Sequence, residues 1–413
     1  MSRILIIGAG GVGRVAAHKC AQRPEEFEEI CLASRTIERC RRVAAELPRP
    51  ILVRELNADD AGRVRRLIEE FRPDAVINVA SPYQNLPIMQ ACAEAGVHYV
   101  DTSMSDRPDK VVYDYGDQWA FGEHFERKGV TGLLSLGFDP GVVNVFCAYA
   151  RKHLFDQLEA VDIIDCNAGS HGLPFATNFD PETNIREILA PAFYYEEGQW
   201  KETPPLTLSR EFEFPEVGRR RAYLMAHEEL ISLARFLPEL RTARFWMTFT
   251  EEYLTHLQVL RNVGMTRIDP VDYEGVPVTP LRFLKKLLPD PAALGPRTKG
   301  KTSIACVFDG VKDGARRRAM IYNVCVHERC FQEVGSQAIS YTTGAPAVLG
   351  ARLILFGHWA RPGVYNPEQL DPDPFMERLG EMGLPWGMEE LDPSDPAQRT
   401  PAGEKAESET RTP

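Results

Sequence analysis

Near its start the chain reads Gly8-Ala9-Gly10-Gly11-Val12-Gly13, which sets Gly8, Gly10 and Gly13 in the pattern G-x-G-x-x-G. Glycines at this spacing suit backbone wrapped closely around a pyrophosphate: one for a tight turn, one for open backbone, one for helix–strand packing. The pattern carries weight only between a strand and a helix. That setting is present, because Arg3 to Ile7 is a β-branched apolar run and Val15 to Ala21 has helical character. About twenty residues further on, where an acidic side chain would hold a ribose 2′-hydroxyl, stands Ser34-Arg35-Thr36. A guanidinium and two hydroxyls fit a 2′-phosphate instead, so NADPH is the expected cofactor, with Gly11 and Val12 in the same turn. The plainer alternatives are a glycine turn without a ligand and a solvated Arg35.

Three later segments place small or polar residues at expected strand ends: Ala80-Ser81-Pro82-Tyr83-Gln84, Asp101-Thr102-Ser103 and Gly137-Phe138-Asp139-Pro140-Gly141. Ala80, Ser81, Tyr83, Asp101 and Thr102 stand where nicotinamide or its ribose would lie. Asp139 before Pro140 is equally a good helix N-cap and first-turn pair, and Asp101 could cap a turn. Asp165 to Gly172 is a polar, glycine-rich stretch containing His171, and Asn178 comes shortly after. An active-site loop and a surface loop both fit it. His227-Glu228-Glu229 is a second histidine–carboxylate cluster, for which helix capping is the simpler reading. Cys325, His327 and Cys330 match no closed zinc spacing, and no metal is expected.

The elements that must position these residues alternate. After the first strand–turn–helix come strands at 30–33, 51–56, 75–80, 97–102 and 132–136, separated by helices that include one over 113–127. That alternation predicts an α/β chain with a Rossmann-type, doubly wound parallel sheet. Beyond residue 154 the apolar–polar alternation of 161–167, 211–214, 219–225, 245–249, 303–307 and 320–326 predicts an α+β domain with a mostly antiparallel sheet. Gln337 to Phe356 is apolar on most sides and is expected to pack back on the first domain. The expected division is residues 1–145 completed by 336–392 for the nucleotide, 146–335 for substrate binding and dimerisation, and 393–413 as a disordered tail.

A net charge of −11 on 413 residues excludes nucleic acid or an anionic membrane surface as the principal partner. Nine scattered cysteines suit a reducing compartment, and no run approaches the apolar length of a membrane span. The expected location is cytoplasmic.

Taken together, these stretches resemble the saccharopine dehydrogenase-like reductases, and within them a polyamine-forming branch. The resemblance rests on the runs beginning at Ile7, Ala33 and Gly137, and above all on Phe175-Ala-Thr-Asn-Phe-Asp-Pro-Glu-Thr-Asn184, Gln337-Ala-Ile-Ser-Tyr-Thr-Thr-Gly344 and Glu368-Gln-Leu-Asp-Pro-Asp-Pro-Phe375. It departs at Ala80–Gln84, where such relatives often carry Gly-Pro-Pro-Trp. The resemblance implies reductive condensation of L-aspartate β-semialdehyde with a diamine, 1,3-diaminopropane or putrescine, by NADPH in a homodimer. Asp139 and His171 are then candidates for proton transfer. Asp165, Glu228 and Asp101 are candidates for the distal ammonium, and Arg244 or Asn178 for the substrate carboxylate. A saccharopine-type amino-acid reductase and a noncatalytic NADP-binding regulator stay open at this point.

Overall fold

A computed structural model describes residues 2–110 and 113–394, together with the backbone of Glu404–Lys405. It divides into two compact units. The first comprises Met1–Tyr149, Asp290–Gly300 and Cys325–Trp386; the second comprises Ala150–Pro289, Lys301–Val324 and Gly387–Pro413.

In the first unit the β-branched runs form β1 (Ser2–Ile7), β2 (Phe27–Ser34), β3 (Leu52–Glu55), β4 (Ala75–Asn78), β5 (His98–Asp101) and β6 (Thr131–Leu133). With Gly363–Tyr365 they make a seven-stranded sheet in the order Gly363–Tyr365, β6, β5, β4, β1, β2, β3. Every pairing in it is parallel. Ile4 to Ile7 are at most 1% exposed, as a strand covered on both faces requires. The strand order reverses between β1 and β4, and it is beyond the carboxyl ends at such a reversal that ligands bind.

Helix α1 (Gly11–Ala21) comes directly after β1, and the apolar segment forms one helix, Ala338–Leu355, that packs on α1. Gly344 permits their close crossing, since a Cβ there would stand 2.8 Å from the Val12 carbonyl oxygen. The single helix expected over 113–127 is instead two short ones, Gly116–Trp119 and Gly122–Lys128. The break falls at Ala120-Phe121, just ahead of Gly122, a residue that disfavours a helix interior.

The second unit is built on a ten-stranded sheet. Its main path runs Trp386–Leu391, Ala315–Val326, Lys301–Lys312, Gln157–Asn167, Thr242–Thr248, Gly218–Met225, Leu208–Phe214 and Glu404–Lys405. Gln157–Asn167 pairs parallel with Thr242–Thr248 and antiparallel with Lys301–Lys312, and Gly218–Met225 pairs antiparallel with both Thr242–Thr248 and Leu208–Phe214. A hairpin of Ala192–Glu196 and Gln199–Thr203 joins through Tyr195 and Ala243. Ile164, Cys166, Phe212, Phe214, Leu224 and Trp246 share one apolar cluster on the sheet. Of the expected tail, only Pro393, Ser394 and the backbone of Glu404–Lys405 fall within the described residues; that backbone pairs with Leu208 and Ser209.

Candidate nucleotide and substrate sites

The glycine turn divides its labour residue by residue. Gly8 has φ +116°, and a Cβ there would stand 2.5 Å from the Val79 carbonyl oxygen. A Cβ at Gly13 would run into the Gly8 carbonyl, whereas one at Gly10 would meet nothing within 4 Å. Gly8 and Gly13 therefore hold strand, turn and helix together, and Gly10 leaves open the space a pyrophosphate needs. A side chain at Gly11 would collide with the Ser340 hydroxyl. Gly10 caps α1 without a side-chain hydrogen bond and no acidic residue stands in the first turn, so the helix presents amides suited to an anion. Gly8, Gly10, Gly11, Val12 and Gly13 thus form a cradle that fits a dinucleotide.

At the end of β2, Ser34 is half-buried and its Oγ accepts from the Thr36 amide at 3.4 Å. Arg35 is exposed and lies 3.9 Å from Asp59, a loose pairing that leaves the guanidinium accessible to a phosphate. Arg39, one turn into the next helix, is likewise exposed and bonds Asp290 at 3.0 Å. Sequence reasoning misses Arg39; its signal is its place four residues after Arg35 at a helix start.

Beyond β4, Ala80, Ser81 and Tyr83 are half-buried at the strand-end edge. The Ala80 amide donates to Asn78 Oδ1 at 3.1 Å and the Ser81 amide to Gln84 Oε1 at 3.1 Å, which fixes this short turn. Thr102, after β5, is also half-buried.

Asp101 differs from its expected role as a group for cofactor or ammonium. It is 1% exposed and turned into the protein. Oδ2 accepts from the Tyr99 hydroxyl at 2.9 Å and from Gln118 Nε2 at 2.8 Å, and Oδ1 accepts from the Ser135 amide at 2.5 Å. Asn78 Nδ2 reaches the same Tyr99 hydroxyl at 3.0 Å and Asn85 Oδ1 at 2.8 Å. Burial pushes the Asp101 carboxyl up to about 7 against the opposing pull of these donors.

Asp139 is half-buried. The next helix begins only at Val142, so Asp139 lies ahead of its cap; Asn144 Oδ1 instead takes the Gly141 amide at 2.9 Å.

In the second unit the strand register separates two residues expected to serve one site. Met247 is opposite Asp165 and Arg244 is opposite Asp162. Side chains alternate along a strand, so Asp165 and Arg244 project from opposite faces of the sheet. Arg244 is 4% exposed, with Nε 2.9 Å from Asp162 Oδ1 and Nη1 3.1 Å from Glu196 Oε1. Its guanidinium is spent on internal carboxylates, which removes it as a clamp for a substrate carboxylate.

Asp165 is 8% exposed near the end of its strand, leading into the polar loop. In that loop His171 and Asn178 are half-buried, and His171 Nδ1 accepts from the Leu173 amide at 3.1 Å. Phe175 stacks on Tyr253 with ring centres 4.9 Å apart, and the Tyr253 hydroxyl donates to Asn184 Oδ1 at 2.7 Å. These contacts pin the loop to the helices Pro181–Leu189 and Glu251–Asn262.

Glu228 sits at the start of helix Glu229–Phe236 and makes no cap hydrogen bond. Its neighbours are the coupled pair: His227 Nδ1 bonds Glu229, which is fully buried, and the imidazole stacks on Phe245 at 3.9 Å. His327 is buried elsewhere, its Nδ1 accepting from the Ala338 amide at 3.1 Å, with burial holding it down to about 4. Among the described residues no three His, Cys, Asp or Glu side chains are grouped to hold a metal ion. Nor is any helix among them long and apolar enough to cross a membrane.

Residues 4–133 match the saccharopine dehydrogenase NADP binding domain, and residues 137–384 match the saccharopine dehydrogenase C-terminal domain. The chain is 52% identical to a carboxyaminopropylagmatine dehydrogenase from Synechocystis, over 94% of this chain and 97% of the relative. It is 46% identical to a carboxynorspermidine synthase from Vibrio alginolyticus, over 95% of this chain and 98% of that one. Among solved structures it superposes on saccharopine dehydrogenase (L-Glu forming) of Saccharomyces cerevisiae with a TM-score of 0.73 at 14% identity, covering 95% of this chain and 100% of the other. Homospermidine synthase of Legionella pneumophila in complex with NAD gives 0.68 at 14% identity, covering 95% and 92%. At that identity these two structures share the fold.

Proposed function

The chain belongs to the saccharopine dehydrogenase family, and from that premise we propose that it is an NADPH-dependent reductase joining L-aspartate β-semialdehyde to an amine in polyamine biosynthesis. The carrying observation is the complete strand–turn–helix cradle at Gly8–Gly13, with Ser34-Arg35-Thr36 beyond it and no carboxylate among them, in a chain 45–52% identical to enzymes named for such products.

The first unit holds the nucleotide in this reading. Gly8, Gly10, Gly11, Val12 and Gly13 receive the pyrophosphate, Ser34, Arg35 and Thr36 the 2′-phosphate, and Ala80, Ser81, Tyr83 and Thr102 border the nicotinamide end. NADPH, once bound, supplies the hydride that reduces a carbon–nitrogen double bond. The chain's own groups must deliver an unprotonated amine to the aldehyde and protonate the departing carbinolamine oxygen. Asp139 and His171 are assigned that proton traffic. Asp165, together with Glu228, is assigned the distal cation of the amine, which needs a carboxylate once it leaves water. Asn178 replaces Arg244 as the group for the substrate's α-carboxylate.

The amine in this reading is a diamine, 1,3-diaminopropane or putrescine. A second reading takes agmatine, because the 52% identical relative is named for a carboxyaminopropyl group carried on agmatine. Both amines end in a cation, so both use the same carboxylates.

The second unit also carries exposed apolar residues in one stretch of chain: Val259, Val263, Tyr273, Val276, Phe283 and Leu287 are 53–68% exposed. Such a concentration supports this unit as the dimerisation surface of a cytoplasmic homodimer.

The test is NADPH oxidation by purified protein with aspartate β-semialdehyde and each amine in turn. Consumption that needs both aldehyde and amine supports the reading, and the preferred amine decides between diamine and agmatine. Turnover with an amino acid such as lysine, and with no amine, overturns it in favour of a saccharopine-type reductase. Binding of NADPH with no turnover of any substrate would favour a noncatalytic regulator.

A further inference from the structure

Ser135 has φ +54°, in the left-handed region disfavoured for any residue with a Cβ. It is 1% exposed, and the Asp101 network surrounds it. Its amide donates to Asp101 Oδ1 at 2.5 Å, and the next amide, Leu136, donates to the Asp101 carbonyl at 2.8 Å. On its other side the hydroxyl of Tyr115 donates to Ser135 Oγ at 2.9 Å; Tyr115 is fully buried and stacks on Trp119 with centres 5.2 Å apart. A strained residue clamped from two sides directs the chain beyond it, here Gly137-Phe138-Asp139-Pro140-Gly141. That segment has no slack: a Cβ on Gly137 would stand 3.2 Å from the Thr102 carbonyl oxygen, and Gly141 has φ +131°.

We propose that Asp101 is a positioning residue, which with the left-handed turn at Ser135 aims the Gly137–Gly141 segment and so places Asp139 at the strand-end edge of the first unit. The inference rests on the reductase reading for its kinetic consequence. Asp101 itself touches neither cofactor nor substrate. Its carboxylate gathers the Tyr99 hydroxyl and the Gln118 amide on one oxygen and the Ser135 amide on the other, which ties the ends of β5 and β6 and the helix Gly116–Trp119 to one point. Such a knot matters because a shift of about 1 Å in a reacting group costs a rate factor of about 100.

Asp101→Asn is the direct test. Above about pH 8, where the Asp101 carboxyl is ionised and can only accept, the substitution puts an amide N–H where Gln118 Nε2 and the Tyr99 hydroxyl already point donors, so the knot loosens while Gly8–Gly13 and Ser34–Thr36 stay as they are. The expected result is a kcat lower by about 10- to 100-fold with the NADPH dissociation constant, read by fluorescence titration, within about threefold of the unmodified protein. Amide hydrogen exchange in residues 135–141 rises. Adding Ser135→Gly recovers a large part of the lost rate, because glycine adopts positive φ without needing the clamp. Tyr115→Phe keeps the buried ring and removes only the second clamp, so it falls the same way by roughly 3- to 10-fold, and it decides the matter if Asp101→Asn does not fold.

A melting temperature that drops with kcat and exchange unchanged reduces Asp101 to a merely stabilising residue and overturns the proposal. So does NADPH affinity that weakens in step with kcat. Should the unmodified protein turn over no amine, the reductase reading fails by itself, and hydrogen exchange at 135–141 with NADPH titration still decides the positioning role: unchanged exchange in both variants overturns it.

Discussion

Asp101 in the first unit and Asp162 in the second are buried almost equally, 1% and 3% exposed, yet opposite means stabilise them. Asp101 has only neutral donors around it: a phenol, a side-chain amide and backbone amides. Asp162 has two arginines, Arg244 at 2.9 Å and Arg210 at 4.0 Å, and the Trp246 indole N–H at 2.8 Å. A carboxylate facing neutral donors keeps part of its desolvation penalty and can respond to pH; one facing guanidinium groups has opposite charge beside it to offset that penalty. Two equally buried aspartates thus do different work, one adjustable and one fixed.

The largest effect is expected where the fixed pair is broken. Arg244→Leu leaves Asp162 without its nearest cation and Glu196 with Lys201 alone, and the cost is about 3–5 kcal/mol in urea unfolding. A cost near zero would mean that Asp162 is no better compensated than Asp101, and the comparison collapses.

Next comes pH. The Asp101 carboxyl is raised from 3.8 to about 7 in the folded protein, so the fold favours its protonated form. Stability from this group is fully present below about pH 4 and is lost as pH rises through about 7, a change on the order of a few kcal/mol. Asp101→Asn should flatten that part of the stability–pH curve, measured by thermal unfolding across the range, while substitution at Asp162 should leave it in place.

Trp246→Phe removes one neutral donor from the fixed aspartate and should cost about 2 kcal/mol. Tyr99→Phe removes one from the adjustable aspartate and should cost about 1 kcal/mol, read by the same unfolding. It should also move the Asp101 titration upward, since that hydrogen bond favours the charged form.

The two units also differ in how much of them is legible in the sequence. The glycine turn, the parallel sheet and the long helix Ala338–Leu355 are legible because backbone constraints impose residue types: only glycine fits at Gly8 and Gly13, and only an apolar helix survives full burial. The direction of a side chain is not legible. Asp101 at a strand end reads the same whether it faces a ligand or the core, and only Tyr99, Gln118 and Ser135 decide it. Alternation alone puts Arg244 just ahead of a strand beginning at Phe245. The strand begins at Thr242, and that shift puts Arg244 on the face opposite Asp165. The hairpin Ala192–Thr203 escapes the same alternation, although Glu197-Gly198 has positive φ at both positions, as a tight hairpin turn requires. Gly198 between two alternating runs is its signal. The strand Gly363–Tyr365, only three residues long, is too short for any periodicity to show.

That short strand sets the timetable of synthesis. A ribosome delivers β1 to β6 first, but the sheet they form stays open at β6 until Gly363–Tyr365 emerges, near the end of a 413-residue chain. The Thr131 hydroxyl waits equally for the Arg361 carbonyl, and α1 waits for the long helix that covers it. A nascent chain of several hundred residues therefore carries an unpaired parallel edge and an uncovered helix. Contacts of such sequence separation form slowly and leave apolar surface available to chaperones and to other chains. Truncation before residue 363 should then yield an aggregating fragment rather than a smaller nucleotide-binding protein.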